Sequence, residues 1–464
     1  MLGTVSRARI PLVVGWLGVI ATLVSGALAQ EPTPYEFELP VGFPKPKVPA
    51  NNPLTVEKIA LGRFLFYDVR LSGNMTQSCA SCHQQVRAFT DGRARAIGST
   101  GEMHPRSAMS LANVAYATAL GWANPLLDSL ERQALVPMFN ERPVELGLTG
   151  KEAELFDRLR ADLRYQRMFA EAFPNEADPI SLGNIVKAIA SFERTLLSGN
   201  TPYDRYVQGL DDQAISEEAF LGGRLFFSER LECFHCHGGF NFTASVTHEG
   251  NPFDETSFQN NGLYNIDGRG AYPPDNTGLF EITGLPADMG RFKAPTLRNL
   301  SYTAPYMHDG SIATLEEVIE HYAAGGRTIH SGPYAGDGSK NPFKSNFVRG
   351  FTLTEEEKQQ LLAFLRSLDD ARFVSDPRLS NPFESWPCRG DCNYDEDVTI
   401  DEIVRSVNVA LGTTSLALCL PSDASGEGEV TIDELLQGVR AVLEGCKSVV
   451  TVDVASGESS PPAQ

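Results

Sequence analysis

Two pentapeptides, Cys79-Ala80-Ser81-Cys82-His83 and Cys233-Phe234-His235-Cys236-His237, hold the densest chemistry in the 464-residue chain. Thiols three positions apart on a helical turn can add to both vinyl groups of one porphyrin, and the histidine that follows then faces the iron. Each motif is therefore expected to carry one covalent haem c: Cys79 and Cys82 with His83 as proximal ligand, Cys233 and Cys236 with His237. A single zinc site built from both cysteine pairs would leave the two following histidines unexplained. His235, inside the second motif, reads as a surface residue.

Further along, DCNYDEDVTIDE and DASGEGEVTIDE form two acidic twelve-residue loops. Their ligand positions fall on Asp391, Asn393, Asp395, Thr399 and Glu402, then on Asp423, Ser425, Glu427, Thr431 and Glu434, an oxygen set suited to calcium. Glu396 stands where the first loop would turn on glycine. The repeat resembles dockerin-type EF-hand modules. Cys388, Cys392, Cys419 and Cys446 flank the loops and read as two disulfides, with three pairings open.

These groups need a frame, and the frame is duplicated. LGRFLFYDVRL, starting at Leu61, aligns with LGGRLFFSERL, starting at Leu221, and each leads into a CxxCH motif. Each copy also closes on a strong helix. Ser181 can cap one carrying Ile185, Ile189, Phe192 and Leu196 at helical spacing; Thr354 and Glu357 form a capping box ahead of Leu361, Leu365 and Leu368. The stretch from Gly238 to Thr296 is rich in Gly, Pro, Asn and Asp and reads as ordered loop over a large bound group. The expected fold is all-α: two tandem cytochrome c-like domains at 30–205 and 206–374, a linker at 375–387, the EF-hand pair at 388–446 and a disordered tail at 447–464.

Residues 1–29 read as a secretory signal, with Arg7 and Arg9 before an apolar run that ends on Ala27-Leu28-Ala29. A periplasmic or secreted protein is expected, with no membrane span once the leader is cut. The formal charge of −20 disfavours nucleic acid as a partner and suits a cationic redox protein or bound cations.

From about Leu54 to Leu368 the chain resembles the bacterial di-haem cytochrome c peroxidases and their MauG-like relatives, in CASCHQQVRAFTDGRARAIGSTGE, LERQALVP, SFERTLLSGNTPYDRY and FKAPTLRNLSYTAPYMHDGSIATLEEVIEHY. The segment ANVAYATALGWANPLLDSLERQALVPMFNERPVELGL is most similar to the branch with methanobactin-associated enzymes. The resemblance implies a first, peroxidatic haem and a second that passes electrons. It assigns Gln133 and Glu145 to the peroxide pocket and Trp122 to a position between the haems. The family's blocking histidine aligns near Ser99, which implies an open first haem; His104 is the nearby rival. Tyr322 falls at the distal ligand position of the second haem, with His321 as the adjacent alternative and Met307 less suited. A calcium between the domains, bound by carbonyls matching Thr303 and Pro305, is implied too, although Ser107 replaces the family's asparagine there.

The implied activity is a peroxidase that takes electrons from a small redox protein and reduces hydrogen peroxide, electrons entering through the second haem. The alternative is a MauG-like enzyme that oxidises tryptophan or another residue of a partner protein. A pure electron carrier is a third reading, disfavoured because it needs no general acid. Oligomeric state is left open.

Overall fold

In the computed structural model the described residues are 3, 31–251, 253–254, 256–383, 388–395, 397–423, 425 and 428–446. The expected cleavage site, the tail at 447–464, Glu396 and Glu427 lie outside them.

Helix Val56–Tyr67 begins where the Thr55 hydroxyl accepts the Lys58 N–H, satisfying one of the amides that a first turn leaves without a partner. It buries Leu61, Leu65 and Phe66 completely and packs on Leu182–Glu193, whose cap is Ser181. The second half repeats this pairing. Glu217–Phe226 packs on Glu355–Arg366, which starts with the Thr354–Glu357 capping box.

The aligned glycines explain how closely the helices approach. A Cβ on Gly62 would land on the Ala188 carbonyl, and one on Gly222 would land on that of Gln360. Only hydrogen fits at either crossing. The duplication is thus a repeated helix–helix joint as well as a repeated sequence.

Each joint anchors its own apolar core. Phe66, Phe89, Phe169 and Phe192 centre the first, and Phe226, Phe242, Leu361 and Phe364 the second. A third cluster around Leu263, Tyr264, Tyr272 and Phe292 consolidates the loop-rich stretch. Among the described residues, sheet is confined to two short antiparallel pairs: Phe258–Gln259 with Phe292–Lys293, and Thr328–Ile329 with Gly336–Asp337. The all-helical expectation holds. No helix among the described residues is long and apolar enough to cross a membrane.

A second repeated phrase joins the halves. Asn113 and Asn299 both adopt left-handed backbone (φ 59° and 66°) and each caps a short 3-10 turn, Val114–Tyr116 and Leu300–Tyr302. Their N–H groups donate to Leu196 O (2.8 Å) and Leu368 O (3.0 Å). Their side-chain oxygens accept the N–H groups of Ser198 and Asp370, both at 2.8 Å. Asn113 also donates to Asn241, and the buried Arg298 forks onto Asp204 at 2.7 and 2.8 Å.

Following these, the segment expected as a linker lies against the first half: Arg63 donates to the carbonyls of Pro377 and Ser380 and to the Tyr394 hydroxyl. The small C-terminal module carries helices Ile400–Ala410 and Ile432–Glu444, each opened by a Thr–Glu capping box. Disulfides join Cys388 to Cys446 and Cys392 to Cys419. The module touches the main body where Arg167 reaches Gly428 O and Ser415 donates to Glu171.

Candidate functional site

Cys79–Cys82 is a single helical turn and ends at His83; Phe234–His237 is its counterpart. The four motif cysteines take no part in disulfides. Burial pushes the Cys82 and Cys233 thiols up to about 12 and that of Cys236 to about 11, so they stay protonated. His83 Nδ1 lies 2.9 Å from Phe89 O, and His237 Nδ1 lies 3.1 Å from Pro295 O. A carbonyl can only accept, so Nδ1 carries the proton in both rings and the Nε2 lone pair is free for a metal. Burial lowers both imidazoles, His237 to about 4, and keeps them neutral.

Each motif opens on a cavity. The first, about 410 Å³, is lined by Cys82, His83, Gln133, Pro137 and Glu145. The second, about 210 Å³, is lined by Cys233, Cys236, His237 and Tyr322. At the second motif two thiols and a neutral imidazole with a free Nε2 line a mostly apolar chamber; at the first, Cys82 and His83 line it while Cys79, at the start of the same helical turn, packs against the first apolar core, and both donor sets fit covalent haem c.

Gln133 projects from helix Leu130–Phe139, whose Ser129 cap accepts the Arg132 N–H. Glu145 follows the turn beyond that helix, and burial alone raises its carboxyl to about 7. The residues around Ser99 support it. Ser99 N–H donates to Glu145 O (2.7 Å), and the Glu102 carboxylate accepts the Val144 N–H (2.9 Å). Gly98 is required there, since a Cβ would meet the Val144 carbonyl. Ser99 itself does not line the cavity, whereas His104 does. His104 Nδ1 lies 3.1 Å from the Arg106 N and 3.3 Å from the Arg106 O, so the ring is tied through that nitrogen to the backbone of its own loop.

Of the two rivals in helix Leu315–Ala323, Tyr322 faces the second cavity and His321 does not line it. Burial pushes the Tyr322 phenol up to about 12, against the lowering effect of its hydrogen bond with Asn261. The cavities share a wall made of Trp122, Lys293, Ala294, Pro295, Leu300, Tyr306 and Met307. Trp122 is pinned there by Nε1 donating to Ser107 O (2.9 Å).

Thr303 and Pro305 line the first cavity, and Ser107 is close by, its hydroxyl donating to Met307 O. In the acidic loops, Glu402 accepts the N–H groups of Cys392, Asn393 and Thr399, and Glu434 those of Ser425 and Thr431. Both twelfth-position carboxylates thus turn back onto their loops. Among the described residues, the one place where three potential side-chain ligands converge is Glu229, Glu232 and His235. His235, stacked on Phe347, pairs there with Glu232 at 2.8 Å.

Sequence reasoning passed over the Asn113/Asn299 repeat and Lys293. The first was readable, since SLANVAY and TLRNLSY differ mainly in apolar and small positions. Lys293 carried no such signal, because a lysine in a loop is ordinarily solvated.

Residues 56–212 match the family model described as di-haem cytochrome c peroxidase. Over 376 residues the chain is 34% identical to the methylamine utilization protein MauG of Methylorubrum extorquens, covering 77% of this chain and 95% of that protein. It is 32% identical over 410 residues to the cytochrome-c peroxidase IdrP1 of Denitromonas iodatirespirans, covering 82% and 99%. A crystal structure of a MauG-like protein associated with microbial copper homeostasis superimposes with a TM-score of 0.74 at 50% identity, covering 75% of this chain and all of that one.

Proposed function

The chain belongs to the di-haem cytochrome c peroxidase family, a family of di-haem oxidoreductases, and from that premise we propose a MauG-like division of labour: hydrogen peroxide is consumed at the first cavity, and the oxidising equivalents leave through the second to a partner protein. The observation that carries this reading is Tyr322 facing the second cavity. A phenolate oxygen favours the oxidised state of iron more than a thioether does, which suits a site that holds oxidising equivalents.

When bound, the haem at His83 supplies the iron at which the peroxide O–O bond breaks, and that at His237 supplies a second electron carrier. Glu145 takes the proton from the inner peroxide oxygen and returns it to the outer one, which then leaves as water. A carboxyl poised near pH 7 is suited to both transfers. Gln133, with an amide donor and acceptor in the same chamber, orients the peroxide. Ser99 holds the Glu145 backbone and offers no ligand to block the chamber. Trp122, in the shared wall, offers an aromatic path between the two sites.

A true peroxidase, fed with electrons by a small redox protein through the second haem, is the other reading, favoured by the near-complete coverage of a cytochrome-c peroxidase. Stopped-flow absorbance of the fully oxidised protein mixed with one equivalent of peroxide separates the two. The MauG-like reading expects both haem bands to change with no added reductant; a strict need for prior one-electron reduction would hand the function to the peroxidase reading.

Export and calcium complete the proposal. The leader supports a periplasmic or secreted location. The spacing of oxygen-bearing residues in the two acidic loops supports calcium there. Carbonyl oxygens at Thr303 and Pro305 are the proposed donors for an ion between the halves.

A further inference from the structure

Lys293 is 7% exposed, and its Nζ donates to Ala119 O at 2.5 Å. No other hydrogen bond and no ion pair of that ammonium occurs among the described residues, although it has three protons to share. Its backbone is fixed from two sides: residue 293 pairs with Phe258 in the short sheet, and its N–H donates to Trp122 O at 2.7 Å. Residue 293 is therefore fixed in the wall common to both cavities, with its ammonium buried beside Ala119 O.

The other cations around the first cavity have carboxylate partners. Arg298 is forked onto Asp204, and Arg106 is paired with Glu281 at 2.5 Å. Lys293 is the one charged residue of the shared wall and has only a neutral carbonyl. An ammonium so buried is costly unless an anion meets it, and burial accordingly lowers it to about 8 in the protein alone. Each haem c carries two propionate carboxylates, the anions that would enter these chambers with the porphyrin.

We propose that Lys293 is a shared propionate anchor, its ammonium binding a carboxylate of the haem on either side and holding one positive charge between the two irons, beside Trp122. This rests on haem at both CxxCH motifs. A cation there favours the electron-richer reduced state of both irons, so one side chain raises both midpoint potentials together.

The test is spectroelectrochemical titration of the holoprotein, wild type against Lys293→Met, Lys293→Gln and Lys293→Arg, with haem content measured by pyridine haemochrome absorbance. The Met variant keeps the apolar stem and drops the charge; the Gln variant also retains a donor for Ala119 O. Both should hold two haems per chain and show both midpoint potentials shifted down, and the Arg variant should return both toward wild type. Unchanged potentials in a two-haem Gln or Met variant overturn the anchor, as does a shift confined to one haem. Fewer than two haems in the wild type would instead overturn the reading on which the anchor stands.

Discussion

Glu145 shows how burial makes a catalytic group from an ordinary side chain. With its carboxyl raised to about 7, the protonated form dominates below that pH and the carboxylate above it. Because the carboxylate accepts the first proton, the rate of peroxide consumption should climb as pH rises through about 7 and then level off. Glu145→Gln should slow the reaction by on the order of 10²–10⁴-fold and abolish that inflection. Rapid-mixing rates from pH 5 to 9 would check both, and an unchanged inflection in the variant would assign it to another group. At this scale the sequence was informative where spacing encodes covalent chemistry: the CxxCH motifs led directly to the thiols, the histidines and their cavities. Which of His321 and Tyr322 faces the second cavity needed the helix in place, since adjacent residues differ by about 100° around its axis. Lys293 was illegible because its burial depends on Trp122 and Ala119, far away in the chain.

Among the elements, the paired helix joints governed by Gly62 and Gly222 make a sharper claim than the sequence match alone. Either glycine replaced by alanine forces the crossing apart, at a cost of about 1–3 kcal/mol. Chemical denaturation of Gly62→Ala and Gly222→Ala should show losses of that size for each, whereas Gly183→Ala, where a Cβ meets nothing within 4 Å, should be nearly neutral. Capping signals at Ser181 and Thr354 were legible because an N-cap is local chemistry: three or four residues contain the whole interaction. The loops from Gly238 to Thr296 were legible only as loops. Their course follows from remote partners, such as Thr243 donating to Ala294 O and Asn260 donating to Met289 O.

Across the whole molecule, the C-terminal module tests whether an acidic accessory can stabilise the body that carries it. Calcium held by its loops would tie down Glu434 and the Gly428 turn that receives Arg167, so binding should stabilise the folded form by linkage. Thermal melts of the full chain should shift upward in millimolar calcium relative to chelator, and superimposed melts would remove calcium from the module. The wall between the cavities has a different consequence. Trp122 comes from the first repeat, and Lys293, Tyr306 and Met307 come from the second, so each repeat finishes its neighbour's chamber. The two repeats are thus coupled through their chambers: severed at the boundary, each half would keep its attachment motif and lose one side of its own binding chamber.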